Sequence, residues 1–522
     1  MNEDILKTIQ ERGLLLEKEI FDLLSTFADV QSARDVLVAL EQAAGQKVIT
    51  KSALSKNINY VQNIVSRLPG ENKQTVENVC IRLGLSLEIR QEQMLSPVPE
   101  PHKLSQTGYQ LFYADTRATK KLEVSDFVGS FRSRYQQLQR ILVSRPDLHN
   151  LVSINKISSN RQNLSIIGMV REKRVTKNKN IIIVLEDLTG EINGLVRTER
   201  EELHAKAQEL QLDDVVAVKA SGNRDMLFIH EVYYPEFFLP EKTKFDEDIC
   251  VAFLSDMHCG SDRHLGQSMQ QFLTWIASGD PTAKKIKYIF FSGDNVDGVG
   301  VFPGQENVLA LKSMKEQYAL LASYLRRIPK DITLFMCPGQ HDAVRVAEPQ
   351  PLIDRNYAPE LYTIENLVLV TNPTLVKLRE RDKEFKVLMY HGASIHTFIN
   401  EIPELRLMKA HQTPAKAVKH MLKRRHLAPT HSSVVYIPCA THDPLVIGEV
   451  PDVLCTGEVH RLDIESYNGV LIITGSCWQA RTPFEEKVGN IPDPAKVPVL
   501  NLKTRELKIF DFGVEEEINR EY

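Results

Sequence analysis

Three different patterns of apolar residues along the chain predict a multidomain protein of mixed α+β class. Helical periodicity runs through residues 1–90, short β-rich runs occupy residues 152–243, and nearly continuous apolar runs alternate with helical segments across residues 248–522. Because 522 residues exceed the usual size of one hydrophobic core, two or three domains are expected. We therefore expect an N-terminal helical bundle, a β-barrel, and a C-terminal α/β domain of layered sheets with flanking helices.

The composition excludes several classes of protein. The formal net charge is −4, so the surface is not coated with basic charge and any contact with nucleic acid must be local or shared with a partner. No apolar run approaches the roughly 20 residues that span a bilayer, and the N-terminal MNEDILKTIQERG lacks the basic and apolar regions of a secretory signal. Seven cysteines without a CxxC pair suit a reducing compartment, so we expect a cytoplasmic protein without a membrane partner.

The N-terminal part divides into a bundle, a linker and a helix. Apolar residues recur at helical spacing from Ile5 to Leu68, which predicts a small helical bundle over residues 1–90. Pro97, Pro99 and Pro101 stand where this periodicity lapses, so residues 91–123 are expected to form a linker. An amphipathic connecting helix follows over residues 124–151.

Residues 152–243 predict a five-stranded barrel. The β-rich runs are Leu164–Val170, Ile181–Leu185, Ile192–Val196, Val215–Lys219 and Met226–Tyr233. A helical stretch, Glu201–Leu210, lies between the third and fourth runs, which is the order of an OB-fold. The segment Arg171–Lys179 would join the first two strands and carries five basic residues. It is either a contact for single-stranded nucleic acid or a solvated hairpin tip.

Polar clusters follow the apolar runs of the C-terminal part. These runs are Val251–Leu254, Tyr288–Phe291, Ile332–Met336, Val387–Met389, Val453–Leu454 and Val470–Ile473. The five clusters are LSDMHCGSD (254–262), FSGDNVDG (291–298), CPGQHD (337–342), MYHGAS (389–394) and TGEVH (456–460). Since ligands bind at the strand ends of such sheets, these clusters are expected to meet in space.

The residue types in the clusters suit hydrolysis of a phosphodiester. Two divalent ions about 3.5–4 Å apart can ionise a water and neutralise charge on the phosphoryl oxygens. Such a site needs a bridging carboxylate, several imidazoles, an amide or carboxylate oxygen and a nearby acid, and the clusters contain each type. Asp256 alone could equally be a turn or cap residue, but the ordered set of five clusters favours a ligand.

The clusters resemble the calcineurin-like metallophosphoesterases, whose pattern is D-x-H, G-D-x-x-D, G-N-H-D, a strand-end H and G-H-x-H. From about Asp126 onward the chain is more closely similar to the small subunits of archaeal family D replicative DNA polymerases. The strings that carry this similarity are PGQHDAVRVAEPQP (338–351), MLKRRHLAPT (421–430), EVPDVLCTGEVH (449–460) and CWQARTPF (477–484).

The resemblance implies a role for nine residues. The implied metal ligands are Asp256, His258, Asp294, Gln340, His391, Glu458 and His460, and the implied catalytic residues are His341 and Asp297. Asp256, His258 and His460 would hold one ion, and Asp294 would bridge to a second ion held with His391. His341 would face the leaving oxygen or stabilise phosphoryl charge, and Asp297 could orient His341. The ions would be Mn²⁺, with Mg²⁺ as the alternative.

Two of these positions depart from the family pattern. Gln340 stands where the family has Asn, and Glu458 stands where G-H-x-H has its first His; both positions serve the second metal. Gln keeps the amide oxygen but adds a methylene, and Glu replaces a neutral nitrogen with an anionic oxygen. Either the site is retuned for a hard ion, or the second metal is weakened and hydrolysis falls, since even outer changes at metal sites cost roughly 10–100-fold.

Two functions follow from the resemblance. One is a subunit of a heteromeric DNA-directed DNA polymerase that carries a metal-dependent 3′→5′ exonuclease acting on single-stranded DNA or a primer–template, beside a separate large catalytic subunit. The other is a non-catalytic scaffold whose phosphoesterase site is degraded at Gln340 and Glu458. A stand-alone phosphatase or break-repair nuclease is disfavoured by the barrel that precedes the phosphoesterase domain.

Side chains outside the clusters have simpler expected roles. The basic run Lys423–Arg425 is expected on the solvated face of a helix, with a phosphate or partner contact as the alternative. Cys259 and Cys455 are expected to be small buried residues, and Trp478 and Phe484 to pack against the last strand.

Overall fold

The computed structural model describes residues 2–17, 20, 21, 34, 37, 41, 47–49, 108–114, 116, 121–239 and 241–518. The chain divides into two compact units, Met1–Ser96 and Pro97–Tyr522. Within the described ranges, no helix is both long enough and apolar enough to cross a membrane.

The N-terminal unit begins with the helix Asn2–Arg12, as the helical spacing of its apolar residues predicts. Two short strands, Leu15–Leu16 and Val48–Ile49, pair in parallel and were not expected. The helical pattern at residues 58–68 and most of the pattern at residues 20–40 lie outside the described residues, so the bundle as a whole stays a prediction.

Five strands form a closed barrel in the second unit. In their order around the barrel they are Gln162–Val175, Ile181–Asp187, Gly190–Val196, Leu227–Tyr233 and Val215–Gly222. Alternate residues of a strand, such as Ile181, Ile183 and Leu185, fill the interior because successive side chains point to opposite faces. In chain order, the helix Glu201–Glu209 lies between the third barrel strand, Gly190–Val196, and the fourth, Val215–Gly222, as predicted. The name OB-fold remains our interpretation of this order.

The basic loop predicted at Arg171–Lys179 is shorter than expected. Residues 171–175 continue the first strand, with Val175 paired to Ile181, and the turn is closed by two hydrogen bonds between Thr176 and Asn180. The strand continues because its inter-strand hydrogen bonds are made by the main chain, so polar side chains on the outer face of the barrel do not interrupt it. Lys173 donates to the carbonyl oxygens of Gln208 and Leu210, so it is tied to the end of the helix Glu201–Glu209 rather than held free in a loop.

Two six-stranded mixed sheets form the C-terminal part. The first contains, in spatial order, Leu367–Leu369, Thr333–Cys337, Ile286–Ser292, Cys250–Leu254, Lys496–Asn501 and Leu507–Asp511. The second contains Asp463–Tyr467, Val470–Thr474, Val453–Thr456, Lys383–Met389, Thr374–Glu380 and Tyr109–Tyr113. Each predicted apolar run of residues 248–522 contributes to one of these strands.

An apolar layer separates the two sheets. Phe253, Phe290 and Phe335 of the first sheet meet Phe385 and Val387 of the second in one buried cluster. Helices cover the outer faces: Gly266–Ala277 and Met314–Leu325 on the first sheet, and Ile395–Glu401 and Ala415–Arg424 on the second. Shorter helices are Pro403–Leu407, Pro483–Val488 and Glu515–Ile518. The result is a layered α/β architecture of helices, sheet, sheet and helices.

A helix connects the edge of this region to the barrel. Val124–Val143 begins where the amphipathic pattern predicts it but ends before the predicted end at residue 151. Tyr135, Leu138 and Leu142 are buried against barrel residues such as Ile167 and Met169. The apolar face of the helix therefore packs on the outside of the barrel, as the spacing of these residues requires.

The predicted linker over residues 91–123 contains a strand. Tyr109–Tyr113 forms the edge of the second sheet, antiparallel to Thr374–Glu380. Tyr109, Leu111 and Tyr113 are partly buried against the layer between the sheets. Their period of two marks a strand, which a search for helical periodicity does not detect. The rest of the linker lies largely outside the described residues.

The basic run Lys423–Arg425 is not a solvated face. Arg424 is 2% exposed, and its Nε lies 2.9 Å from Oδ1 of Asp214 in the barrel. Arg425 is buried as well and donates to the carbonyl oxygens of Ile447 and Gly448. The sequence could not show these contacts because Asp214 is 210 residues away from Arg424. Arg424 therefore joins the helix Ala415–Arg424 to the barrel.

The remaining packing predictions are confirmed where the structure describes them. Trp478, Cys259 and Cys455 are buried, and the Trp478 ring lies 5.7 Å from that of Phe272. The six cysteines in the described part of the chain are free thiols. The side chain of Phe484 lies outside the described residues.

Candidate metal centre

The five polar clusters follow strands of both sheets. Neighbouring parallel strands of the first sheet precede the clusters that contain Asp256, Asp294 and His341. Paired parallel strands of the second sheet precede the clusters that contain His391 and His460. Three groups of side chains place one ligand atom each within 4.8 Å of one another: Asp256, His258 and His460; Asp256, Asp294 and His391; and His258, Asp297 and His341. The structure thus brings together side chains that stand far apart in the sequence, such as Asp256 and His460.

The first group centres on two facing imidazoles. The Nε2 atoms of His258 and His460 are 3.0 Å apart, and Oδ1 of Asp256 lies 3.7 Å from Nε2 of His460. Nδ1 of His258 lies 3.0 Å from Oδ1 of Asp297, and Nδ1 of His460 lies 3.0 Å from Oε1 of Glu485. Because a carboxylate accepts, the Nδ1 of each ring donates, and the two Nε2 atoms are directed at the same place.

The second group has a similar arrangement. Nδ1 of His391 lies 2.8 Å from the carbonyl oxygen of Ser292, so this nitrogen donates and Nε2 is left for a cation. Nε2 lies 3.2 Å from Oδ2 of Asp294 and 3.1 Å from Oε2 of Glu458, but is aligned for a hydrogen bond with neither. Oδ1 of Asp294 accepts from the backbone N–H of His341 at 2.9 Å.

The two departures from the family pattern lie at this second group. Glu458 faces His391, and its other oxygen lies 3.4 Å from Nε2 of His396. Asp256, at the first group, accepts from the backbone N–H of Glu458 at 3.1 Å. Oε1 of Gln340 is buried without a hydrogen-bond partner. His396, which the sequence alone does not distinguish from a surface histidine, is thus a neighbour of the site.

His341 and Asp297 are connected differently from the prediction. Nδ1 of His341 lies 2.6 Å from the backbone carbonyl oxygen of Asp297, whereas the Asp297 carboxylate contacts His258. The carboxylate also accepts from Gln305 and Gln479. Asp297 therefore orients His341 through its main chain and His258 through its side chain.

The backbone is strained at most of the predicted ligands. Five of them have positive φ: Asp256 (49°), His258 (43°), Asp294 (47°), Glu458 (76°) and His460 (58°). Non-glycine residues adopt this conformation in only a few per cent of cases, and such strain clusters at active sites and ligand clamps. The strand-to-loop turns therefore hold these side chains in directions that an ordinary turn would not provide.

Three buried polar atoms without hydrogen-bond partners are suited to bind a divalent cation. Oδ2 of Asp256, Nε2 of His391 and Oε1 of Gln340 are buried and have no hydrogen-bond partner. Each such group costs about 1–3 kcal/mol if nothing compensates it. Carboxylate, imidazole and amide oxygen are ligands that Mn²⁺ or Mg²⁺ accepts, so the residues present fit a metal ion.

The electrostatics of the site also favour bound positive charge. Burial alone would raise the pKa of Glu458, but His391 and His396 hold that pKa well below its usual range. Burial likewise opposes the charged form of His460, yet Glu485 and Asp256 raise its pKa to about 9. The carboxylates of Asp256, Glu458 and Glu485 therefore make the site attractive to a cation, whether a proton or a metal.

Three supporting residues were missed in the sequence. Glu485 orients His460, Asn372 accepts from the backbone N–H of His391 at 2.9 Å, and Asp342 accepts from that of Gly339 at 2.9 Å. The pattern Thr482-Pro-Phe-Glu485 is recognisable as a capping box, which the structure contains, but nothing in it points to His460. Asn372 carries no sequence signal of its role.

Comparisons with known proteins agree on one family. The family model for the B subunits of DNA polymerases alpha and epsilon matches residues 251–462. The DNA polymerase II small subunit of Methanothermobacter thermautotrophicus is 36% identical over 398 residues, which cover 75% of this chain and 80% of that protein. The protein of the same name from Pyrococcus furiosus is 36% identical over 402 residues, and there the match spans 75% of this chain but 64% of the relative.

Among solved structures, an archaeal phosphodiesterase aligns with 50% of this chain and 99% of its own, at 12% identity and a TM-score of 0.25. A likeness this low carries no argument about function.

Proposed function

The chain belongs to the family of DNA polymerase II small subunits, those of the archaeal family D enzymes, and we propose that it carries a metal-dependent 3′→5′ exonuclease acting on single-stranded DNA. In this proposal a separate large subunit synthesises DNA, and the present chain removes nucleotides from the 3′ end. The observation that carries the proposal is the convergence of carboxylates and imidazoles at the strand ends, with strained backbone and unpaired donor atoms.

The first group of side chains would hold one divalent ion through Asp256, His258 and His460, with Asp294 shared between two positions. His391, Gln340 and Glu458 would complete the second position. When bound, such ions ionise a water and offset charge on the phosphoryl oxygens. We propose Mn²⁺, with Mg²⁺ as the alternative, because carboxylate and amide oxygens are hard ligands.

The protein's own groups then position the reaction. Hydrolysis adds a water oxygen to phosphorus, breaks the bond to the 3′ oxygen of the preceding nucleotide, and returns a proton to that oxygen. His341 is suited to face this oxygen because its side chain is 21% exposed while Asp297 holds its Nδ1. Burial opposes protonation, but Asp294 and the Asp297 carbonyl raise the pKa of His341, which favours a proton donor.

The position of Glu458 supports a retuned second position. One oxygen of its carboxylate faces His391 and the other faces His396, so it brings a negative charge to a place where the family has a neutral ring. A hard cation gains from that exchange. The scaffold function differs in one measurable respect, the absence of hydrolysis.

The test is an exonuclease assay with Mn²⁺ on single-stranded DNA labelled at either end, with and without the large subunit. The wild type should shorten DNA from the 3′ end, and Asp294→Ala should not cut. The reversions Gln340→Asn and Glu458→His should run singly and together. Cleavage by the double reversion alone would establish the scaffold function for the natural chain, and wild-type cleavage that survives Asp294→Ala would refute the metal assignment.

A further inference from the structure

The segment after Asp297 is an exposed apolar loop. Val299, Val301 and Phe302 are 47%, 40% and 43% exposed. Single apolar residues on a surface are ordinary, whereas three within four positions bring exposed apolar surface together, as it is at binding sites. The loop turns at glycines with positive φ, among them Gly300 at 76° and Gly304 at 84°.

Buried glutamines hold the loop in place. Gln305 accepts from the backbone N–H of Val301 at 2.9 Å and donates to the carbonyl oxygen of Asp297 at 2.8 Å. Gln317 accepts from the N–H of Gly298 at 2.8 Å and donates to its carbonyl oxygen at 3.0 Å. Both glutamines are fully buried. The apolar tip is therefore fixed relative to Asp297, which itself orients His258.

The loop also touches the segment that carries His341. A Cβ atom on Gly298 would lie 2.5 Å from the carbonyl oxygen of His341 and 2.7 Å from Cγ2 of Val301. Only a residue without a side chain allows these two segments to approach so closely. The patch consequently borders the candidate site on the side of His341, where the leaving oxygen is proposed to lie.

We propose that Phe302, with Val299 and Val301, is a platform on which an unpaired nucleobase stacks while its phosphodiester lies at His341. This inference rests on the proposed nuclease function. Every base has a π face, so stacking on an aromatic ring binds any sequence, and it contributes about 1–3 kcal/mol per base. A base in a duplex is already stacked and paired, so the platform favours frayed or mispaired ends over paired ones.

The experiment uses the full chain, alone and with the large subunit, and an oligonucleotide with 2-aminopurine at its 3′ terminus and a non-cleavable phosphorothioate linkage. Binding to the wild type should quench 2-aminopurine fluorescence. Phe302→Ala should abolish the quenching and weaken binding by about 5- to 150-fold, which corresponds to the stacking energy. Phe302→Trp should restore both. Phe238→Ala is the matched control, because Phe238 is 71% exposed and lies in the segment between the barrel and the first sheet.

The outcomes separate the platform from the nuclease. Unchanged quenching and affinity in Phe302→Ala would overturn the platform, as would cleavage of unmodified single-stranded DNA by a wild type that does not quench the 2-aminopurine probe. If Phe302→Ala instead releases the large subunit and leaves the quenching intact, the patch is an interface between the two subunits and the proposal is wrong. A wild type that binds and quenches the probe but never cuts unmodified single-stranded DNA would refute the exonuclease and support the platform.

Discussion

The Nε2 atoms of His258 and His460 face each other at 3.0 Å, although the residues are 202 positions apart. The Nδ1 of His258 donates to the carboxylate of Asp297, and the Nδ1 of His460 donates to that of Glu485. The two carboxylates therefore decide which nitrogen of each ring is free for a cation. Partners of this kind are as much a part of a metal site as the ligands themselves.

Glu485→Ala should weaken Mn²⁺ binding by about 10–100-fold, because the His460 ring loses the carboxylate that orients it. Glu485→Gln keeps an acceptor without the charge and should fall between the wild type and the alanine variant. Titration calorimetry with Mn²⁺ measures the affinity, and Glu486→Ala, an exposed neighbour on the same helix, is the control. Equal affinities in all four proteins would show that His460 does not depend on Glu485.

Gly339→Ala should disrupt the site although it adds a single carbon. The new Cβ would lie 2.2 Å from Oδ1 of Asp294 and 2.5 Å from its backbone nitrogen, so the carboxylate or the main chain must move. We expect Mn²⁺ affinity to fall by at least about 10-fold. Gly448→Ala is the matched control, since nothing lies within 4 Å of its Cβ position. Wild-type affinity in Gly339→Ala would argue against Asp294 as a ligand.

Arg424→Met should destabilise the protein by about 3–5 kcal/mol, because Asp214 would stay buried without its partner. The double variant Arg424→Met/Asp214→Leu should recover most of this loss, since it removes both charges. Urea denaturation followed by circular dichroism compares the three proteins. A single variant as stable as the wild type would mean that the ion pair does not hold the helix to the barrel.

His426 should make the protein less stable in mild acid. Burial and the nearby Arg134 lower the pKa of His426 to about 4, against the opposing charge of Asp443. In the unfolded chain this histidine binds a proton with a pKa of about 6.5, so stability falls as the pH drops from about 6.5 to about 4, and this group adds no further loss below that. The change is about 3 kcal/mol.

The variant His426→Gln cannot take up this proton, so its stability should change less over the same range. Urea denaturation between about pH 7 and about pH 4 measures the difference. His149→Gln, at an exposed position, should keep the wild-type dependence. Parallel curves for the wild type and His426→Gln would contradict the assignment.

Local patterns predicted much of the fold correctly. The barrel strands and the central strands of both sheets lie where short apolar runs stand in the sequence, because burial on a pleated surface requires those residues. The edge strand Tyr109–Tyr113 was missed because five residues of period two stand among residues without periodicity. The surface assignment of Lys423–Arg425 was wrong because burial of a charge depends on a partner that sequence proximity does not reveal.

The sequence by itself determined which chemistry the site contains: carboxylates, imidazoles and an amide stand after successive apolar strands, and strand ends converge by the rules of sheet topology. Only the tertiary structure decided how those groups are held. It assigned Glu485 to His460 and the Asp297 carboxylate to His258, and it placed Glu458 between two imidazoles. The physical reason is that a hydrogen bond depends on atoms meeting within about 3 Å at the correct angle, and folding brings them together from distant parts of the chain.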